Sequence, residues 1–266
     1  MTEWDAAAYS RISALQRWQA EKSLAALQLE GGERVLDVGC GNGAITARLA
    51  ARLPRGAVVG VDASHQMIDF AAETFPPGAH PNLTFRVADA ARLAFVDEFD
   101  LIVSFNCLHW VRDQAAALRG IRDALVPAGR THLRFVPQGA RQSLEDVIEE
   151  TRQAPRWREC FVDYRAPYVH LTEAAYGALA RPAGLHVERF DVQQEAWDFG
   201  SRATFAAFAQ ATFVEWTRLI PSDRHAAFIG EALDRYRQLG DGSAAQANVF
   251  TFYQVQAVLR RVHPEG

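Results

Sequence analysis

Cysteine is scarce in this chain of 266 residues: Cys40, Cys107 and Cys160 are an odd number with no CxxC spacing. They suggest neither a disulfide framework nor a zinc cluster, so a reducing, cytoplasmic setting is expected. Histidine does not fill the gap. The eight histidines show no HxxxH or HxH pattern beside acids, and no metal is expected. Long apolar runs are missing as well, since no stretch approaches the roughly 18 residues of a membrane span. Residues 1–30 are polar and amphipathic without an apolar signal core, so a soluble protein is expected. Positive charge is not in surplus either: 28 Lys and Arg stand against 32 Asp and Glu, a formal net charge of −4. With the arginines scattered, a nucleic-acid backbone is a poor partner, because such sites need clustered cations. There is no internal repeat and no low-complexity tract.

What is present is ordinary globular composition, 49% hydrophobic and 23% charged, in a length that one elaborated domain can use. A single domain over 1–266 is expected, monomeric or homodimeric. Arg34 to Val38 is a short apolar run ending in glycines, after which Ala44 to Leu53 has helical spacing. The same pattern recurs at Ala57 to Val61 before a helix from Ser64, at Leu83 to Val87, at Phe99 to Ser104 before a helix near Asp113 to Leu125, and at Thr131 to Phe135. Strands alternating with helices imply right-handed β-α-β units and one parallel sheet with helices on both faces. Late strands at Leu185 to Val192 and Val249 to Leu259 finish the sheet. The expected fold is therefore α/β, a Rossmann-like seven-stranded, mostly parallel sheet. Two helical blocks, about 136–180 and 202–240, interrupt it as cap insertions, and the first carries Trp157, Phe161, Tyr164 and Tyr168. Insertions this long wall a binding site or pack over a sheet edge.

The strongest local signal is Val35-Leu36-Asp37-Val38-Gly39-Cys40-Gly41-Asn42-Gly43, a strand entering three close glycines and then a helix. Glycine serves where the backbone turns sharply and a ligand approaches it directly. Nineteen residues after Gly43, Asp62 closes the second strand, where an acid can accept from both hydroxyls of a ribose. The third strand ends in Val87-Ala88-Asp89-Ala90, placing a second acid where an adenine amino group can donate. The fourth runs Phe99 to Ser104 into Phe105-Asn106-Cys107-Leu108-His109-Trp110, delivering polar and aromatic groups to the same sheet edge. Open α/β sheets bind ligands at these strand ends.

These four segments, from Arg34 to Phe135, resemble the successive cofactor motifs of class I S-adenosylmethionine-dependent methyltransferases. The resemblance implies S-adenosylmethionine as cofactor and a core over about 30–135. By it, Asp37, Gly39, Cys40, Gly41 and Gly43 belong to the turn at the methionine part, and Asp62 to the ribose. Ala63 and Met67 border the adenine, Asp89 and Ala90 meet its edge, and Asn106 to Trp110 face the sulfonium and acceptor. A narrower resemblance joins Trp4-Asp5-Ala6-Ala7-Ala8-Tyr9, Leu15-Gln16-Arg17, Cys107-Leu108-His109-Trp110-Val111 and Val249-Phe250-Thr251-Phe252. Together they are similar to trans-aconitate and juvenile hormone acid methyltransferases, both of which methylate carboxylates; malonyl-carrier methyltransferases share the early Leu-Gln. The resemblance implies a small carboxylic acid as acceptor, with Gln16 and Trp110 at its carboxylate and His109 beside them.

Each residue has a second reading. Gln16 can contact the cofactor or cap its helix, Trp110 can be plain pocket wall, and Cys40 can merely line the turn. His109 is a packed histidine, a hydrogen-bond donor, or a general base for a phenol or activated carbon in an aromatic or polyketide-type metabolite. A carboxylate is ionised at neutral pH and needs no base, so O-methylation of an acid and base-assisted O- or C-methylation are distinct hypotheses. A non-catalytic cofactor-binding module and a nicotinamide oxidoreductase are the readings from other classes.

Overall fold

Nearly every residue of β1 (Arg34–Val38) and β4 (Phe99–Phe105) is buried, as strands covered on both faces must be. In a computed structural model of the chain, which describes residues 14–240 and 246–262, these two lie at the centre of one seven-stranded sheet. The others are β2 (Ala57–Asp62), β3 (Leu83–Val87), β5 (Leu125–Phe135), β6 (Leu185–Asp198) and β7 (Val249–Arg261), and the order is β3-β2-β1-β4-β5-β7-β6. The first five strands run parallel, and β7 lies antiparallel to both β5 and β6. The mostly parallel seven-stranded sheet is as expected.

Side-chain alternation assigns each face its helices. Val35, Leu101 and Val103 meet Leu24 of α1 (Ala14–Ala25) and Ala47, Leu49 and Ala50 of α2 (Ala44–Ala51). Leu36, Val38 and Ile102 point the other way, toward Leu118 and Ile121 of α4 (Gln114–Ala124) and Tyr176 of α6 (Glu173–Ala180). Between them in sequence, α3 (His65–Thr74) follows β2 and is capped by Ser64, whose hydroxyl accepts from the Met67 N–H.

Two boundaries depart from the expectation. Strand β5 begins already at Leu125, the point where α4 was expected to end, because Leu125 pairs with Phe99 and is fully buried. The ladder resumes only at Leu101 opposite Arg130, so the residues around Pro127, which lacks an N–H to donate, bulge out. The helical block 202–240 is broken into α7 (Arg202–Thr212), α8 (Val214–Thr217) and α9 (His225–Gln238). Phe213 leaves helical geometry at ψ 41, and Pro221 opens the turn that leads to α9.

The two insertions share an apolar core of their own. Ile148 of α5 (Leu144–Gln153), Trp157, Phe205, Trp216 and Phe228 pack together with Phe250 and Phe252 of β7. Both buried indoles find acceptors: Trp157 Nε1 donates to Glu231 at 2.8 Å and Trp216 Nε1 to Glu149 at 2.7 Å. Strand β7 connects this core to the sheet. Phe250, Phe252 and Gln254 are buried on one face, whereas Val255, Ala257 and Leu259 are buried on the opposite one among the α4 and α6 side chains.

A buried hydroxyl packed against the sheet lacks a partner among the described residues. The Tyr176 hydroxyl is buried with no hydrogen bond among the described residues. An unpaired buried hydroxyl costs about 1–3 kcal/mol. Tyr176→Phe should therefore keep or raise stability, by up to about 1 kcal/mol, read as a urea midpoint shifted upward at constant slope. A clear loss would mean that the hydroxyl is satisfied.

Candidate active site

The parallel strands end together, and the loops leaving them meet in one cavity of about 1110 Å³. After β1 the chain turns through Gly39, φ 78, and Gly41, φ 53. The first glycine is needed for packing, since a Cβ there would sit 2.2 Å from Cys107 Sγ at the exit of β4. The second has open space where its Cβ would project, so a ligand can reach the backbone there. The Gly39 and Cys40 N–H groups both donate to the Val61 carbonyl, at 2.7 and 3.0 Å. The Gly41 N–H donates to Asp62 Oδ2 at 3.0 Å, while Asp62 Oδ1 accepts from the Ser64 N–H at 2.9 Å. Asp62 thus holds the glycine turn and the start of α3 in one relative position. After β3, Asp89 Oδ1 accepts from the Ala91 N–H at 2.9 Å, which fixes that carboxylate at the mouth.

Gly39, Gly41, Asp62, Ala63, Met67, Asp89, Ala90, Asn106, His109 and Trp110 all line this cavity. Asp37, Cys40 and Gly43 do not. Asp37 lies on the face of β1 that meets α2, where Thr46 Oγ1 donates to it at 2.7 Å. Cys40 is turned inward under the glycine turn, and Gly43 packs against Phe85 and Ala71. Gln16 belongs to α1, but its side chain lies outside the described residues, as does the Trp4 to Tyr9 segment. Its neighbours Leu15 and Gln19 reach the cavity from the same helix.

Burial decides the chemistry of His109. Its Nδ1 is enclosed without a hydrogen bond among the described residues, and the ring lies 5.1 Å from Trp110 and 6.1 Å from His170. Burial, with His170 adding to it, pushes the imidazole well below its ordinary value, so it is neutral at physiological pH. Trp110 packs edge-on against Trp216, 6.1 Å between ring centroids. Beyond it, Tyr164, Phe208, Phe213, Phe250 and Phe252 from the insertions and β7 make the far wall aromatic.

A methyltransferase-domain family model matches residues 35–129. The chain is 30% identical over 194 residues to a trans-aconitate 2-methyltransferase of Methylobacterium radiotolerans, covering 71% of each chain. The chain belongs to the S-adenosylmethionine-dependent methyltransferases. S-Adenosylmethionine is its methyl donor. It is also 32% identical over 142 residues to a juvenile hormone acid O-methyltransferase of Bombyx mori, covering 52% of this chain and 50% of that one. The solved YcgJ protein of a Bacillus superposes over 93% of this chain and all of its own, with a TM-score of 0.64 and 18% identity, and shares the fold. Among the described residues, no helix is long and apolar enough to cross a membrane.

Sequence reasoning had overlooked several polar residues in the methyltransferase cavity, Gln19, Glu145 and Gln254 among them. Gln254 carried a signal, a polar residue in phase with Phe250 and Phe252 on a strand whose faces are both buried. Gln19 and Glu145 carried none, because a polar residue in a helical pattern ordinarily faces water. Glu145 is buried, which raises its carboxyl to about 7 against the opposing pull of hydrogen bonds from its own backbone and Ser143.

Asp37 is raised to about 7 for the same first reason, burial, opposed by the Thr46 hydroxyl and reinforced by the Asp62 charge. A carboxyl that holds its proton more tightly in the folded chain stabilises it fully below the unfolded value, about 4, and loses that contribution as pH rises through about 7. Asp37→Asn, which cannot ionise, should gain on the wild type as pH rises across that window. Chemical denaturation at about pH 5 and about pH 8 checks it; an unchanged difference would show that Asp37 is ionised throughout.

Proposed function

We propose that this methyltransferase transfers a methyl group to a carboxylate of a small organic acid, an O-methylation in the cytoplasm. The observation that carries the reading is that one cavity joins the glycine turn, Asp62 and Asp89 to His109, Trp110 and the aromatic wall. It holds a donor side and an acceptor side without a barrier of backbone between them. On this reading the core of about 30–135 carries the donor, and the insertions 136–180 and 202–240 form a cap that walls the acceptor.

The residues present fit the donor. Gly41 leaves its Cβ position open at a left-handed turn, so the amino-acid end can lie against the backbone. Asp62 already accepts two backbone N–H groups, and a carboxylate with about four acceptor sites can also take ribose hydroxyls. Ala63, Met67 and Ala90 offer an apolar slot for a base, with Asp89 at its edge. Bound there, S-adenosylmethionine supplies an electrophilic methyl on a positively charged sulfur.

The chain's own work is then alignment and exclusion of water, which together contribute several kcal/mol. Trp110, through its indole N–H, and Gln16, through its amide, are assigned to the acceptor carboxylate, and neutral His109 to a further hydrogen bond. What supports this is the shared location of Trp110 and His109 in the cavity, the place of Gln16 on the helix that carries Leu15 and Gln19 there, and the two relatives whose names specify acids. A phenolic or carbon acceptor has one observation in its favour, the imidazole nitrogen of His109 that has no hydrogen bond among the described residues, beside an aromatic wall. A pH profile does not separate the two acceptors. An imidazole held well below its ordinary value is neutral across the physiological range, so no imidazole step in the rate is expected there for either acceptor.

Asp62→Ala should raise the dissociation constant of S-adenosylhomocysteine by about tenfold or more in calorimetry, since charged hydrogen bonds are lost; unchanged affinity would move the ribose elsewhere. A carboxylic-acid library assayed for methyl esters is the decisive screen for the acceptor. With an acid so found, Trp110→Phe keeps the ring but removes the N–H, and should lower kcat by about tenfold or more while changing S-adenosylhomocysteine affinity less than about threefold. Turnover of neutral acceptors alone would overturn the carboxylate reading and leave the methyltransferase assignment in place.

A further inference from the structure

Beneath the cavity, Arg134 of β5 is 1% exposed and touches Gln254 of β7, from which a chain of carboxamides leads outward. Arg134 Nε donates to Gln254 Oε1 at 2.9 Å. Gln254 Nε2 donates to Asn106 Oδ1 at 2.9 Å, and Asn106 Nδ2 donates to Gln19 Oε1 at 3.1 Å. Gln254, Asn106 and Gln19 all line the cavity.

The direction of this chain is set by its first member. A guanidinium has donors only, so Gln254 must turn its oxygen toward it and its NH₂ away. Asn106 must then offer its oxygen to Gln254 and its NH₂ to Gln19. Gln19 in turn must spend its oxygen on Asn106, and its NH₂ is the end left over. That group makes no hydrogen bond among the described residues. Reversing any one amide would oppose two like groups and break the chain. Asn106 is itself held in place at φ 58, its N–H donating to the Arg134 carbonyl at 2.8 Å.

Charge works in the same direction. Arg134 and the part-exposed Lys22 share one buried carboxylate, Glu195, leaving the cluster with an excess of positive charge. Amide dipoles aligned outward from it strengthen one another and carry that polarity toward the cavity. We propose that Gln19 is a carboxylate-binding residue whose donor end is fixed by Arg134 acting as a positioning residue through Gln254 and Asn106. Two sources supply a carboxylate in this cavity, the amino-acid end of the methyl donor and the acceptor acid. The inference rests on the methyltransferase reading of the cavity.

Arg134 variants are set aside as tests because a broken buried ion pair endangers folding. Gln19→Met and Gln254→Met keep size and remove the relay, and the double variant completes a cycle. Each is titrated with S-adenosylhomocysteine and with 5′-methylthioadenosine, which has the nucleoside and sulfur but no amino-acid carboxylate. If the carboxylate is the donor's, both single variants weaken S-adenosylhomocysteine by about five- to twentyfold, a shift typical of a charged hydrogen bond, and leave methylthioadenosine within about twofold. If it is the acceptor's, both nucleosides are unmoved and the KM of the acids turned over in the library rises by a similar factor. In either case the double variant is no worse than Gln19→Met alone. Multiplying effects would mean that Gln254 acts by itself and would overturn the relay. Equal weakening of both nucleosides, or no shift in nucleoside affinity or acid KM, would overturn the carboxylate site. A wild type that binds no S-adenosylhomocysteine would instead count against the cavity's assignment, before any variant is compared.

Discussion

A guanidinium sunk into a sheet has to be answered on every side, and the way Arg134 is answered organises the rest of the molecule. Its Nη2 donates to both oxygens of Glu195 on β6, at 3.0 and 2.8 Å, its Nη1 to the Gln19 carbonyl and the Ser23 hydroxyl of α1, and its Nε to Gln254 of β7. Strands β5, β6 and β7 and helix α1 are thereby joined at one point. Stripping an ion of water costs several kcal/mol, which the pair and its neighbours offset only if the geometry is complete. The cluster is consequently weak as a source of stability and strong as a constraint on position. Alternative placements of α1 would leave the Nη1 donor of a buried guanidinium unanswered.

That constraint bears on the site because α1 carries Leu15 and Gln19 to the cavity and β7 carries Gln254, Phe252 and Phe250. The glycine turn is held separately, by Asp62 and the Val61 carbonyl. The glycine turn and the α1–β7 side of the cavity therefore have independent supports, the first local to β1 and β2, the second built from elements far apart in sequence. Variation in the insertions can reshape the aromatic wall of the cavity without disturbing the turn. The insertions keep an apolar core that meets the sheet at Phe250 and Phe252 of β7.

Strand β7 makes the two halves compatible. Its antiparallel entry between β5 and β6 lets one face join the sheet core while the other meets the insertions. A parallel strand at the same place would need a further crossover over a face that is already covered.

The α/β alternation, the glycine turn and the acids after β2 and β3 were legible in the sequence because each is local. A strand's apolar run, a turn's glycines and an acid at a strand end lie within a few residues of one another, and backbone sterics relate them in any context. The bulge at Pro127 and the breaks at Phe213 and Pro221 were less legible, being settled by what Leu125 and the surrounding aromatics could bury. The neutral state of His109 and the chain from Arg134 to Gln19 were decided by tertiary structure alone. Desolvation, and the direction of a hydrogen bond between residues more than eighty positions apart, depend on what surrounds a group in space. Sequence by itself determined which chemistry the strand ends could host; only the packed fold decided which of those polar groups face the cavity, and which end of each amide they present.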